Sequence, residues 1–505
     1  MKKRILALVM SMLLIVSTVL TLASCKGNGG DDDKKPNVNN INWLDNLGDH
    51  DLDGYTVKFA VAEAYEDGTY GFNIRSIKAE ENNGDNVDAA IYLRNEAIED
   101  RFNCKIELKY RNNNNLTTDL NTVFMGKGSD YDIIAGRQYD DVALCLNGGL
   151  VNLASDKTAS KYLDLDREYW GTNYINGMSY NGMTYWATGD LNLRYTGGFY
   201  GVFVNATLYN SRLKETYGDI HDFVLDYKWT VDAMKEMSDK ISNISGAGST
   251  NPGDSDIIGV AAPVHDNTNG WAVSCGVKFS SFTKSGKLSL EFKAKNETLT
   301  SYYEKYQSLL SSSGCVNYSN TDDAGGYKPA FETFKADRAL FVPGRINQAE
   351  LYLRTMQNDF YIIPNPQLDT DQHEYISSLH DAISIYGINK YSKNIEASAI
   401  VLEAMAAESY RTVRTVYYDQ ALKNKYTDSK ETAKMIDLIS AGAYSDFALV
   451  WALTPYFNGM GSMLRIVFNE GKSLIHEISS KTDPWKTGVK DITDKFAELA
   501  AAEAA

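Results

Sequence analysis

Residues 131–135 read Tyr-Asp-Ile-Ile-Ala, a short apolar run that predicts a strand. Working outward from it, Val57, Phe59 and Val61 alternate in an earlier strand. A helix is expected over 87–101 and a second strand over 106–110. Later strands are expected at 201–205, 339–342, 360–363 and 383–388. Thr230 can cap a helix, and Trp229 and Met234 sit where a hydrophobic staple forms. Met234, Met237 and Ile241 then make the apolar stripe of that helix. Another helix runs from about 396, with Ala397, Ile400, Val401 and Ala404 on one face. Strands separated by helices argue for an α/β fold: parallel or mixed sheets with helices on both faces. No internal repeat stands out.

Composition narrows the classes. The chain has 505 residues, 43% hydrophobic and 23% charged, which is ordinary globular material too long for one core. A formal net charge of −16 argues against nucleic-acid binding and against a basic membrane-surface face. Nothing after residue 24 has the length of apolar run that spans a bilayer.

The N-terminus is a separate case. Lys2, Lys3 and Arg4 precede an apolar run over 5–22, and Leu22-Ala23-Ser24-Cys25 follows. A basic start, an apolar stretch and small residues read as a secretory signal over 1–24. The run is just long enough to span, but a cysteine directly after Ala23-Ser24 resembles the bacterial lipobox, whose cysteine is acylated. That predicts a chain anchored outside the cytoplasm through lipid on Cys25, with two or more acyl chains needed for a stable hold. Residues 25–50, rich in Gly, Asn, Asp and Lys, read as a flexible tether.

Motifs of catalysis are weak. There is no Gly-x-Ser-x-Gly elbow. His373-Glu374 and His476-Glu477 lack the second His of a zinc helix, and Gly471-Lys472-Ser473 has Ile466 where a phosphate loop needs Gly. Asp49, Asp51, Asp53 and Gly54 match half a calcium loop, but Ala60 stands where a bidentate Glu belongs, so a polar turn is expected. Asp140-Asp141 and Asp322-Asp323 are candidate carboxylate pairs for glycoside hydrolysis, though neighbouring acids usually mark solvated loops. The expectation is a non-enzyme with no cofactor and no metal. Cys104, Cys145, Cys275 and Cys315 permit two disulfides, and their spacing fixes no connectivity.

Several segments, taken in order, resemble the extracellular solute-binding proteins of the maltose-binding type. Tyr131-Asp132-Ile133-Ile134 with Gly148-Gly149-Leu150-Val151-Asn152-Leu153 is similar to that family's "YDI…G.L.DL" stretch. Val202-Phe203-Val204-Asn205 with Leu208-Tyr209 resembles its crossover strand. Trp229-Thr230-Val231-Asp232 resembles its Thr-Trp helix start, with the Trp displaced to precede the Thr. Phe334 to Phe341 matches "F..GKAAM", with Asp337 replacing the usual Gly. Ile363-Pro364-Asn365-Pro366 and Tyr386-Gly387-Ile388 complete the series. Tyr417-Tyr418-Asp419 through Lys425-Tyr426, and Met435-Ile436-Asp437, look like a clostridial-type branch.

The resemblance covers most of the chain and implies a two-lobe, periplasmic-binding-protein-like fold (type II) with lobes joined by crossover strands. It implies lobe one at 51–188 with 327–362, and lobe two at 189–326 with 363–505. It further implies a monomer that captures a sugar or oligosaccharide by hinge closure and delivers it to ABC permease subunits. Binding of a peptide or other solute, and a secreted glycoside hydrolase, are the alternatives. An aromatic set of 33 Tyr and 7 Trp against 18 Phe suits sugar faces and hydroxyls. The resemblance places Glu63, Tyr65, Arg137, Gln138, Tyr139, Asp190, Arg345 and Asn347 at the cleft. Trp186, Trp271 and Trp451 are the candidate stacking platforms.

Overall fold

The computed structural model describes residues 41–62, 72–80, 84–111, 116–244, 252–253, 255–319, 326–422 and 429–504. The predicted signal, Cys25, residues 25–40 of the tether, Glu63, Tyr65, Asp322-Asp323 and Lys425-Tyr426 lie outside the described residues.

Eleven strands are named in chain order: β1 Tyr55–Ala62, β2 Cys104–Arg111, β3 Ile133–Arg137, β4 Tyr200–Asn205, β5 Ile258–Ala262, β6 Ser280–Phe282, β7 Leu288–Leu290, β8 Cys315–Asn317, β9 Ala339–Arg345, β10 Phe360–Pro364 and β11 Ser384–Ile388. They form two mixed sheets and a small β6–β7 hairpin. The first sheet has the order β11-β3-β1-β2, with β11 antiparallel to β3 and the other pairs parallel. The second has the order β10-β4-β9-β5-β8, with β4 antiparallel to both β10 and β9, and β5 parallel to β9 and β8. Every residue of β3 and β4 is buried, as expected of central strands covered on both faces.

The helices begin and end where local chemistry directs. Asp85 accepts from the amides of Val87 and Asp88 to start the helix Asn86–Phe102, and Asn103 ends it in the left-handed region. Thr230 caps Val231–Ile241 through the amide of Ala233, and Trp229 and Met234 are buried beside it. The helix Ile395–Glu408 is buried along nearly its whole length beneath the first sheet, because it is apolar on every side.

The lobe boundaries need correcting. Residues 327–362 carry β9 and most of β10, which pair in the second sheet with β4 and β5 rather than joining lobe one. Conversely β11, grouped with lobe two in the sequence reading, runs antiparallel to β3 in the first sheet, from Ser384↔Arg137 to Ile388↔Ile133. Residues 41–50, read as tether, lie on the body: Asp45 pairs with Arg101 at 2.8 Å and Leu47 is buried. The four cysteines are free, and burial pushes the thiols of Cys104, Cys145 and Cys315 up to about 12.

Candidate ligand-binding cleft

Two segments pass between the lobes side by side, and a third, just after the helix Ser429–Ala441, runs along the second of them. The amide of Tyr200 donates to Ser378, that of His380 to Gly198, and that of Tyr444 to Ser377. The bridges Phe199↔Leu379 and Ser377↔Ala443 hold them in register, and Ala187↔Tyr386 ties the first to β11. The carboxyl ends of the parallel strands β3, β5 and β9 lead toward this junction, the usual place for a ligand in α/β folds.

From the first lobe, β3 ends in Arg137. Its guanidinium pairs with Asp140 and lies 4.5 Å from the centre of the Tyr139 ring. Asp141 was expected on a solvated loop, but it is fully buried and holds this corner together. It accepts from the amides of Leu116, Thr117 and Arg137 at 2.9–3.1 Å. The second lobe contributes Arg345 at the end of β9, 5.1 Å from the Tyr327 ring centre, with Tyr200 at the start of β4. His265 Nε2 lies 3.1 Å from the Arg465 guanidinium, which can only donate, so the proton sits on Nδ1 and is donated to Asp266 at 2.7 Å. Burial raises the Asp266 carboxyl, but this bond and the nearby His380 and Arg345 outweigh it, and the net shift is downward.

His380 and Asp381 lie on the second crossover and feel both lobes. Burial, then Arg345, Arg194 and Arg137, hold the His380 imidazole well below its ordinary value, so it is neutral and Nδ1 accepts from the amide of Ala382. The Asp381 side chain is 54% exposed. The crowding walls nevertheless raise it to about 6, helped by Asp266 and Asp140 and opposed by Arg345. After β9, three buried polar atoms find no partner: Arg345 Nε, Asn347 Oδ1 and Gln348 Nε2. Buried polar atoms of this kind are normally satisfied, so water or a ligand belongs here.

The predicted site residues divide. Arg137 and Arg345 end β3 and β9, and Tyr139 and Asn347 follow two residues later. Gln138 is buried behind them and accepts from the Tyr174 hydroxyl. Asp190 faces a separate cavity beside Arg414. The three tryptophans are not platforms. Trp186 is buried against Gly387 and donates to Val142 at 3.1 Å. Trp271 stacks on Tyr306, and Trp451 on Phe447, so their faces are taken by the core. Sequence reasoning missed Tyr200, Asp266, Tyr327, His380 and Asp381, although each sits within four residues of a strand or helix end. Among the described residues, no cluster of His, Cys, Asp and Glu can hold a metal ion.

Two mixed-sheet lobes and the paired crossovers between them define the type II periplasmic-binding-protein-like fold. No family model and no curated protein matches the sequence. Solved structures do match. The sugar-binding protein MalE from Xanthomonas citri is 11% identical with a TM-score of 0.56, over 88% of this chain and 99% of that one. An extracellular solute-binding protein from Staphylococcus aureus, in complex with maltose, is 12% identical with a TM-score of 0.55, over 86% and 98%. A sugar transporter from Rhizobium etli, in an open conformation, is 13% identical with a TM-score of 0.54, over 86% and 99%. The likeness is one of fold, and it does not single out the clostridial-type branch.

Proposed function

We propose that this chain is an extracytoplasmic binding protein that captures a sugar or oligosaccharide between its lobes, without turnover, and presents it to an ABC permease. The observation that carries the reading is the cleft itself: guanidinium and carboxyl groups from both lobes converge there, and Arg345, Asn347 and Gln348 hold polar atoms without partners. Sugar hydroxyls donate and accept at once, so one ligand can satisfy Arg345 Nε and Asn347 Oδ1 together. The ring faces of Tyr139, Tyr200 and Tyr327 suit the C–H faces of a pyranose. The solved structures of like fold whose names mention sugars or maltose support the same reading. The Leu22-Ala23-Ser24-Cys25 motif supports lipid on Cys25 as the anchor.

The test is titration with a panel of oligosaccharides and peptides, read through Trp fluorescence. An oligosaccharide is expected to bind, and Arg345→Ala or Arg137→Ala to weaken it by about 10- to 100-fold, since losing a charge-assisted partner costs ~1.5–3 kcal/mol. Binding of peptides alone would replace the sugar reading. Release of product from a chromogenic glycoside would replace the binding reading with a hydrolase.

A further inference from the structure

A second cavity lies on the other side of the crossovers. Residues opposite each other in a bridge share a face, and faces alternate along a strand. Phe199, Leu379, Ser377 and Ala443 therefore share one face of the crossover ribbon, while Tyr200 and His380, 6.3 Å apart between ring centres, share the other with the cleft. The cavity, about 250 Å³, is lined by Phe199 and Ala443 and so lies behind the hinge. Asp190 and Arg414 line it together.

Asp190 is 5% exposed, yet its carboxylate accepts no hydrogen bond among the described residues; the nearest cation is Arg414 Nη1 at 3.5 Å. Arg414 is held as loosely by Asp437 at 3.7 Å, and its guanidinium lies over the rings of Tyr410 and Tyr418. A buried carboxylate facing open space in this way calls for donors from outside the protein.

We infer that this cavity behind the hinge is a second binding site, which takes one small uncharged polyol of about the size of a single pyranose ring. Charge disfavours an anion, which would meet Asp190 and Glu168, and a lone cation would leave the Arg414 guanidinium unmatched, whereas a polyol donates to the carboxylate and accepts from the guanidinium. The rings of Trp170, Tyr195 and Tyr418 in the wall supply apolar faces for its carbons. Size fits a single ring, because the cavity is smaller than the ~300–1,000 Å³ of pockets that enclose drug-sized ligands. The walls come from 168–173, from the first crossover, from the segment 440–443 beside it and from Arg414, so a molecule seated here touches a segment that must bend when the lobes close. The inference does not depend on what the cleft binds.

The probe is D-glucose, titrated calorimetrically into the full chain carrying Arg345→Ala, which removes a principal cleft donor. One glucose site is expected to remain. Adding Asp190→Asn should weaken it tenfold or more, and adding Ala443→Leu, which fills the cavity, should abolish it with the circular dichroism spectrum unchanged. Absence of a glucose site in the Arg345→Ala chain, or a site indifferent to both added substitutions, overturns the inference. Failure of the cleft reading shows separately, as oligosaccharide binding that Arg345→Ala and Arg137→Ala leave unchanged.

Discussion

Glu403 is 1% exposed inside the helix Ile395–Glu408, and its carboxylate accepts from the Tyr169 hydroxyl, from Trp170 Nε1 at 2.8 Å and from the amide of Asp164 at 3.2 Å. Burial raises its pKa from 4.5 to about 7, and the three hydrogen bonds offset part of that rise. The folded chain therefore holds the proton more tightly than the unfolded one. Its contribution to stability is complete below about pH 4.5 and is lost as pH rises through about 7, a change on the order of 3 kcal/mol. Glu403→Gln keeps the shape and one acceptor but does not titrate. In urea melts, the stability of the wild type relative to Glu403→Gln should fall across that window and be level above it; a constant difference would assign the slope elsewhere. The sequence does not show such a carboxylate, because Glu403 looks like any charge on a helix until its partners 234 residues away in the chain are known. The same limit explains the tryptophans: composition counts rings but does not separate a ring stacked on Tyr306 from one open to a ligand. Arg137 and Arg345 came from the resemblance, and each is the last residue of its strand, a position that the apolar pattern of the strand marks within a residue or two.

At the scale of elements, strand and helix positions were readable where apolar period and caps coincide, as at Thr230 and in β4. β5 was missed, since Ile258-Gly259-Val260-Ala261-Ala262 carries a glycine and two alanines and little β-branched weight. Membership of a sheet was not local information at all. Nothing within 384–388 says that β11 leaves its neighbours in sequence and pairs with β3. The C-terminal helix Leu474–Ala504 gives the element-scale prediction. It packs so closely on the preceding loop that a Cβ on Gly488 would lie 1.8 Å from the carbonyl oxygen of Tyr456. Backbone cannot yield there as a flexible side chain can, so Gly488→Ala should destabilise the fold by about 1–3 kcal/mol, as overpacking does. Thermal melts check this: the midpoint should drop, and an unchanged midpoint would mean that the helix slides freely on its bed.

The whole molecule joins these scales through its hinge. Backbone hydrogen bonds tie the two crossovers to each other and to the segment at 443–444, so they bend as a unit, and the residues proposed to meet ligand are divided between the bodies they connect. Asp140 stands on one lobe and Asp266 on the other, and Asp381 between them already feels both. Bringing the lobes together without a ligand would crowd these carboxylates in a space losing its water, which is unfavourable. A polyhydroxy ligand supplies donors to each of them and acceptors to Arg137 and Arg345, which makes closure favourable only when the cleft is filled. A ligand with such a difference in affinity for the two forms shifts the population toward the closed one. Small-angle scattering at saturating oligosaccharide should therefore show a smaller radius of gyration than the free chain, and Arg345→Ala should reduce that change at the same ligand concentration. The C-terminal helix sets a bound on the motion. Phe496 stacks on Tyr180 and Glu503 accepts from Asn152 and Tyr185 on the first-lobe side, while Trp485 meets Phe292 on the second. If scattering is identical with and without bound ligand, this strap and the crossovers hold one rigid body, and capture by closure is refuted.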